Sequence, residues 1–264
     1  MASIPRFDAA GNVYAVVARE DAEARSDAAW AAAACRDGAA DGVLIEASAQ
    51  DGVAAGVRIV NPDGSRAEMS GNGLRIFAHW LWREGRVAVE EPFEVDTGTR
   101  QVTCRVAPGG GSVRVALGPV RVEAPREIDV GEASWGLVRF TPVNVGNPHA
   151  VLVTEGPVDE GTVRRVGARV EVHPSFPGRT NVQFAWPDHH DPTVVHARVW
   201  ERGAGWTASS GSSACAVTAA MQAKERPGGE SARYVRTVRM PGGSLQCELV
   251  KGEAFLEGPV RPVG

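Results

Sequence analysis

The chain has 264 residues, 43% of them hydrophobic and 23% charged, with a formal net charge of −4 at pH 7. That length fits one large domain or two of about 130 residues. The mild acidity leaves no footprint for nucleic acid or an anionic membrane surface. No apolar run approaches the roughly 20 residues that cross a bilayer.

The start, MASIPRFDAA, has no basic region leading into an apolar core, so no signal peptide is expected and the expected location is cytoplasmic. Cys35, Cys104, Cys215 and Cys247 are scattered, with no CxxC pair and no metal-ligand spacing. They read as reduced, mostly buried small hydrophobes, and no metal is expected. His189-His190 lie in a polar turn and read as surface residues.

Gly11-Asn12 interrupts a polar start, and Val13–Val17 then reads as a buried strand. The Ala-rich stretch 22–36, with Trp30 in it, predicts a helix ended by Gly38. Gly42–Glu46 and Val53–Val60 predict strands. A polar, Gly-containing loop follows, then a helix over 72–83. Beyond Gly85 the pattern alternates, predicting strands at Val87–Val89, Phe93–Asp96, Gln101–Val106 and Val113–Leu117. Residues 118–135 read as a crossover. Val138–Val145 predicts a strand ending in the turn Gly146-Asn147-Pro148-His149, and Ala150–Thr154 another. A short helix over 157–168 precedes strands at Thr180–Ala185 and Thr193–Glu201. A second helix starts near Ser210-Gly211. A hairpin of Arg233–Met240 and Leu245–Leu249 closes through Pro241-Gly242-Gly243. Strands outnumber helices, which gives an α+β class with two strand-rich halves, each wrapped about one long helix. The expected halves are 1–118 and 119–250, with the tail 251–264 packing back on the first.

Two places carry chemistry. Asn61-Pro62-Asp63-Gly64-Ser65 and Ser70-Gly71-Asn72-Gly73 flank a loop that runs from an apolar strand into an amphipathic helix. A helix start leaves N–H groups unpaired, and its dipole favours negative charge there. The loop therefore reads as an anion cradle with one hydroxyl, Ser70, at its lip. The arrangement recurs: Ser70-Gly71 lies nine residues after Asn61, and Ser210-Gly211 nine after Glu201. A repeat of such long period indicates two related halves, since a solenoid needs several short repeats. Two ordinary Gly-rich strand-to-helix turns would give the same pattern.

Asn61, Asn147, Asn181 and Arg202 sit at strand ends beside turns. An asparagine there is usually turn chemistry. Arg202, next to Glu201, has the fork that suits a carboxylate, although a lone arginine is more often on the surface. His149 fits a general base, an orienting group or a structural turn residue equally well. Glu201 is either an acidic partner for a second catalytic group or a strand-end surface carboxylate.

Taken together, these residues resemble the diaminopimelate epimerase family. The resemblance rests on Gly11-Asn12, Ala40–Leu44, Asn61–Ser65, Gly71–Arg75, Gly146–His149, Arg179–Val182, Glu201–Gly205, Gly211, Ala214–Ala216 and Pro241–Gly243, in the family's order along the whole chain. It implies two pseudo-symmetric halves, each a barrel-like sheet around a central helix, with the site in the cleft between them. It implies an isomerase of lysine biosynthesis that interconverts LL- and meso-diaminopimelate, a small-molecule amino-acid substrate, without pyridoxal phosphate, metal or other cofactor. A homodimer is the candidate assembly, with no nucleic-acid or membrane partner. A thiolate on one face removes the α-proton and a thiol on the other returns one.

Carried over by position, the two acid/base residues fall on Ser70 and Ser210. His149 and Glu201 match positions that help place or activate them. Asn61, Asn147, Asn181 and Arg202 match the grip on the distal carboxylate and amine. Asn12 matches a substrate-lining position. Gly71, Asn72, Gly211 and Ser212 match the backbone cradle of the α-carboxylate.

Both expected cysteines are serines here. A thiol titrates near 8.5 and falls lower at a helix N-terminus, whereas a serine hydroxyl needs an adjacent base. Hydrogen bonding is nearly kept and proton-transfer power mostly lost. Two explanations follow: a deliberate Cys→Ser double replacement that holds substrate without turnover, which is the favoured one, or a natural relative with changed chemistry. That relative would racemise or isomerise another amino acid with His149 or Glu201 as base, or only bind one. Trp206 and Val13 depart from the family pattern and leave the exact amino acid open.

Overall fold

Two kinds of strand build the protein. Gln101–Val106 alternates, burying Val102, Cys104 and Val106 and exposing Gln101, Thr103 and Arg105. Asn181–Pro187 instead buries six consecutive residues. A strand of the second kind must be covered on both faces. The computed structural model, which describes residues 4–132, 135–228 and 233–263, shows what covers them.

The chain divides into two units, Met1–Ala116 with Glu257–Gly264, and Leu117–Leu256. In the first, pairing runs from Arg261–Val263 through Arg6–Ala9, Asn12–Val17, Gly42–Ala47, Ala55–Val60, Phe93–Asp96 and Gln101–Val106 to the start of Ser112–Pro119. Two joints are parallel: Asn12–Val17 with Gly42–Ala47, and Ala55–Val60 with Phe93–Asp96. A parallel joint needs a crossover, usually helical. Here the first crossover carries helix Asp27–Ala34 and the second helix Gly71–Arg83.

The second unit follows the same plan. Leu137–Asn144, Pro148–Val153, Asn181–Pro187, Val194–Glu201, Tyr234–Met240 and Gly243–Val250 pair in that order. Two joints are again parallel, Pro148–Val153 with Asn181–Pro187 and Val194–Glu201 with Tyr234–Met240, and they carry helices Glu160–Glu171 and Gly211–Glu225.

In each unit the first helix is outer and the second inner. The outer helices close hydrophobic clusters against one sheet face. Trp30, Ala31 and Ala34 join Val17, Val43, Ile45 and Val60 in the first unit. Val163, Val166 and Val170 join Phe140, Leu152, Val182 and Phe184 in the second. The inner helices are buried nearly all round: every residue from Gly71 to Leu81, and Gly211 with Ser213 to Gln222. A helix buried on all sides has become the core itself. The fold is thus a strand-rich α+β pair of halves, each sheet wrapped about a central helix.

Several sequence expectations need correction. The single helix expected over 22–36 is broken: Arg19–Ala22 makes one turn, Ser26 restarts the chain, and Asp27–Ala34 follows with a short 3-10 turn at Arg36–Gly38. The Ser26 hydroxyl accepts from Ala29 N at 3.3 Å, a cap that competes with continuing the helix. Val87–Val89 forms no strand. Only Val89 bridges to Val106, because Glu90 takes φ +64° and turns the chain away. The expected crossover 118–135 contains strands Arg121–Val122 and Arg126–Asp129, while its residues 133 and 134 lie outside those described. The strand after Gly146 begins at Pro148, so His149 sits in a ladder and not in a turn.

Candidate functional site

The two inner helices begin alike. Ser70 is the N-cap of Gly71–Arg83 with φ −142° and ψ 115°. Ser210 is the N-cap of Gly211–Glu225 with φ −149° and ψ 123°. Both are extended residues whose own carbonyls accept the first helical bond, from Leu74 N at 2.8 Å and Ala214 N at 3.0 Å.

They differ in what the hydroxyl does. Ser70 Oγ accepts from Gly73 N at 3.0 Å, the usual service of an N-cap serine. It also lies 3.3 Å from the Tyr14 hydroxyl. Gly73 permits the cap, since a Cβ there would stand 3.0 Å from Leu44 Cδ2 and 3.2 Å from Ser70 Cβ. The Ser210 side chain makes no cap bond. Asn72, in the first turn after Ser70, is buried, and its Oδ1 has no partner among the described residues.

The loop before Ser70 is tied up in itself. Asn61 Nδ2 donates to Ser65 Oγ at 2.9 Å, and Asp63 Oδ1 accepts from Ser65 N and Ser65 Oγ at 2.9 and 2.6 Å. Gly64, at φ +85°, makes the turn, and Arg66-Ala67 pairs back on Ala55–Val60. Asn61 is therefore engaged in turn bonds. Asn12 opens its strand after the tight turn Ala10-Gly11, both at positive φ, and is half-buried.

In the second unit His149 is buried between two amides. Its Nε2 lies 2.8 Å from Asn147 Oδ1 and its Nδ1 3.0 Å from Gln183 Nε2. Gln183 Nε2 donates a second bond to Ser213 Oγ at 3.0 Å. Burial pushes the imidazole pKa down to about 3, and the Arg202 charge adds to it. His149 is therefore neutral at physiological pH.

Asn181 is spent on backbone at both ends. Its Nδ2 donates to Pro148 O at 2.8 Å and its Oδ1 accepts from Arg202 N at 2.9 Å. The next residue of that turn, Gly203, donates to buried Glu171 Oε1 at 2.7 Å, and Trp200 Nε1 donates to Glu171 Oε2 at 2.6 Å. Arg179 also pairs with this carboxylate. Burial alone would raise the Glu171 pKa, but the bonds from Trp200, Gly203 and Arg179 hold it below the ordinary range. The Glu201-Arg202-Gly203 turn is thus pinned from two sides. Its Arg202 side chain is exposed and gives one bond, to Gly178 O at 3.2 Å. Glu201 is half-buried and registers with Gly205.

The structure therefore joins Asn147 to His149, and Asn181 to the backbone of Arg202, within the second unit. In the first unit it joins Ser70 to Tyr14 and Gly73, while Asn61 bonds into its own loop. Gly71 and Gly211 are the first residues of their helices, with Asn72 and Ser212 next to them. Tyr14, Glu171, Gln183 and Ser213 belong to these networks and were missed from sequence. The one local signal for Gln183 is a polar residue between Val182 and Phe184 in an expected strand. Trp206 packs on the outer-helix cluster, with the Arg164 guanidinium 5.4 Å from its ring. Among the described residues no group of three or more His, Cys, Asp or Glu has metal-binding geometry, and no helix is long and apolar enough to cross a membrane.

Residues 141–263 match the family model described as diaminopimelate epimerase. The diaminopimelate epimerase of Synechococcus sp. (strain JA-3-3Ab) is 35% identical over 242 residues, covering 85% of this chain and 81% of that protein. The diaminopimelate epimerase of Xylella fastidiosa (strain M23) is 34% identical over 275 residues, covering 98% and 93%. Among solved structures, a Bacillus anthracis phenazine biosynthesis protein of the PhzF family matches with a TM-score of 0.77 at 12% identity, covering 99% of this chain and 96% of its own. A hydroxyproline epimerase from Agrobacterium vitis, with bound trans-4-OH-L-proline, matches with a TM-score of 0.71 at 17% identity, covering 99% and 90%. At those identities the solved structures bear on the fold alone.

Proposed function

The chain belongs to the diaminopimelate epimerase family, and on that premise we propose that its site is a cofactor-independent, two-base epimerase site for diaminopimelate in a form that holds substrate without turning it over. Ser70 and Ser210 occupy the acid/base positions. The observation that carries this reading is their equivalence: each is the extended N-cap of the inner helix of its unit, with backbone angles that agree within 8°. Helix N-termini favour the α-carboxylate and the negative charge that develops at the α-carbon in the transition state.

A serine hydroxyl at these positions hydrogen-bonds well and transfers protons poorly. His149, neutral and hydrogen-bonded at both nitrogens, orients neighbouring groups. Arg202, with its turn pinned and its side chain exposed, takes the distal carboxylate through its fork.

The test is α-deuterium incorporation from heavy water, comparing this chain with its Ser70→Cys, Ser210→Cys form. The cysteine form is expected to exchange diaminopimelate and the serine form to lag by orders of magnitude. Exchange of neither diaminopimelate nor any common amino acid by the cysteine form refutes the reading. Arg202→Ala should weaken diaminopimelate and spare monocarboxylic amino acids; equal losses refute the distal-carboxylate role. The genomic codons at 70 and 210 decide whether the serines are natural.

A further inference from the structure

The buried polar chain of the second unit has a direction. A carboxamide nitrogen only donates. Gln183 Nε2 faces His149 Nδ1 at 3.0 Å, so Nδ1 is the acceptor and the neutral ring carries its proton on Nε2. Nε2–H then donates to Asn147 Oδ1 at 2.8 Å. That spends the carbonyl end of Asn147 and leaves its NH2 end for another partner. No hydrogen bond among the described residues uses Asn147 Nδ2, and Asn147 is half-buried, whereas His149 and Gln183 are 1% and 0% exposed.

The opposite polarity is internally consistent and makes the opposite prediction. With the Gln183 amide turned over, its Oε1 would accept from Nδ1–H and from the Ser213 hydroxyl. His149 Nε2 would then accept from Asn147, which would offer Oδ1 outward. The buried remainder decides between the two. In the observed polarity the group left without a partner is one carbonyl oxygen, Gln183 Oε1. In the reverse it would be an NH2 with two N–H donors. Buried orphan donors are rarer than under-used carbonyls.

We propose that Gln183 is a positioning residue that polarises the chain Ser213–Gln183–His149–Asn147, so that Asn147 presents N–H donors and selects a carboxylate over an ammonium group. The role of Asn147 rests on the epimerase reading above; the polarity does not. His149 acts in it as a fixed donor and removes no proton.

The measurement is the ¹⁵N spectrum of the His149 ring in the whole protein at neutral pH, without ligand. The expected result is a neutral ring protonated at Nε2. An Nδ1–H tautomer or an imidazolium overturns the proposal. In Gln183→Glu the carboxylate only accepts, so the tautomer should reverse to Nδ1–H; an unchanged tautomer overturns the positioning role. Asn147→Asp keeps the acceptor for His149 and loses the outward donors. It should keep the Nε2–H tautomer and weaken meso-diaminopimelate by at least roughly tenfold. Undiminished affinity overturns the carboxylate assignment. If the unsubstituted chain binds no diaminopimelate at all, the epimerase reading fails while the tautomer result still decides the polarity.

Discussion

Asn181 combines a position that matches a substrate grip with a structural task. The residue is 7% exposed, and its side chain holds Pro148 O and Arg202 N at 2.8 and 2.9 Å. In Asn181→Ala both backbone groups lose their partner. Both bonds are part-buried, so each is worth about 0.5–1.5 kcal/mol and the pair roughly 1–3 kcal/mol. Against a typical stability of about 5–15 kcal/mol that is a large fraction. With a urea slope of about 2 kcal/mol/M, the unfolding midpoint should fall by about 0.5–1.5 M, read by tryptophan emission. Asn181→Asp keeps the acceptor for Arg202 N and loses the donor to Pro148 O, so its midpoint should fall in between. If Asn181→Ala unfolds within about 0.3 M of the parent, a shift near 0.5 kcal/mol, and only ligand binding is lost, the structural role is refuted.

Glu171 gives a pH test. Its folded pKa is depressed, so its contribution to stability is present above the unfolded carboxylate pKa and is lost as pH falls through the folded value. The stability gap between the parent and Glu171→Gln should therefore be constant from pH 6 to 8 and close below about pH 4; a gap that widens in acid would contradict this. Gly42→Ala tests the Tyr14 support of Ser70. A Cβ at Gly42 would stand 2.6 Å from Tyr14 Cε1 and 2.8 Å from Val60 O. It should cost about 1–3 kcal/mol and slow exchange in the cysteine-restored enzyme. A shift below about 0.5 kcal/mol in thermal unfolding would mean that the ring yields freely.

Much of this fold was written in periodicities. The alternation at Gln101–Val106 and the amphipathic run ending at Arg83 placed their elements within a residue or two. Elements without an apolar signature were invisible. Arg261–Val263 is exposed at every residue and is held by backbone pairing to Arg6–Ala9, a strand whose polar sequence also gave no signal. The break at Ser26 was missed because alanine-rich sequence favours helix on both sides of the cap. In the candidate site, position along the chain placed Ser70 and Ser210 at helix starts, because a cap is local. It missed Gln183 and Glu171, because their partners, His149 and Gly203, are distant in sequence and are brought near by strand register and by a helix end. It also placed Asn61 and Asn181 as ligands without showing that their amides were already occupied.

The epimerase proposal requires Ser70 and Ser210 each to serve one face of the same α-carbon. It is tested most directly by restoring one thiol at a time and following α-deuterium incorporation into LL- and meso-diaminopimelate. The Ser70→Cys and Ser210→Cys single forms should each label one stereoisomer, a different one in each case, without net inversion. The double form should label both and interconvert them. Two single forms that label the same isomer, or a double form that labels neither, would contradict the account.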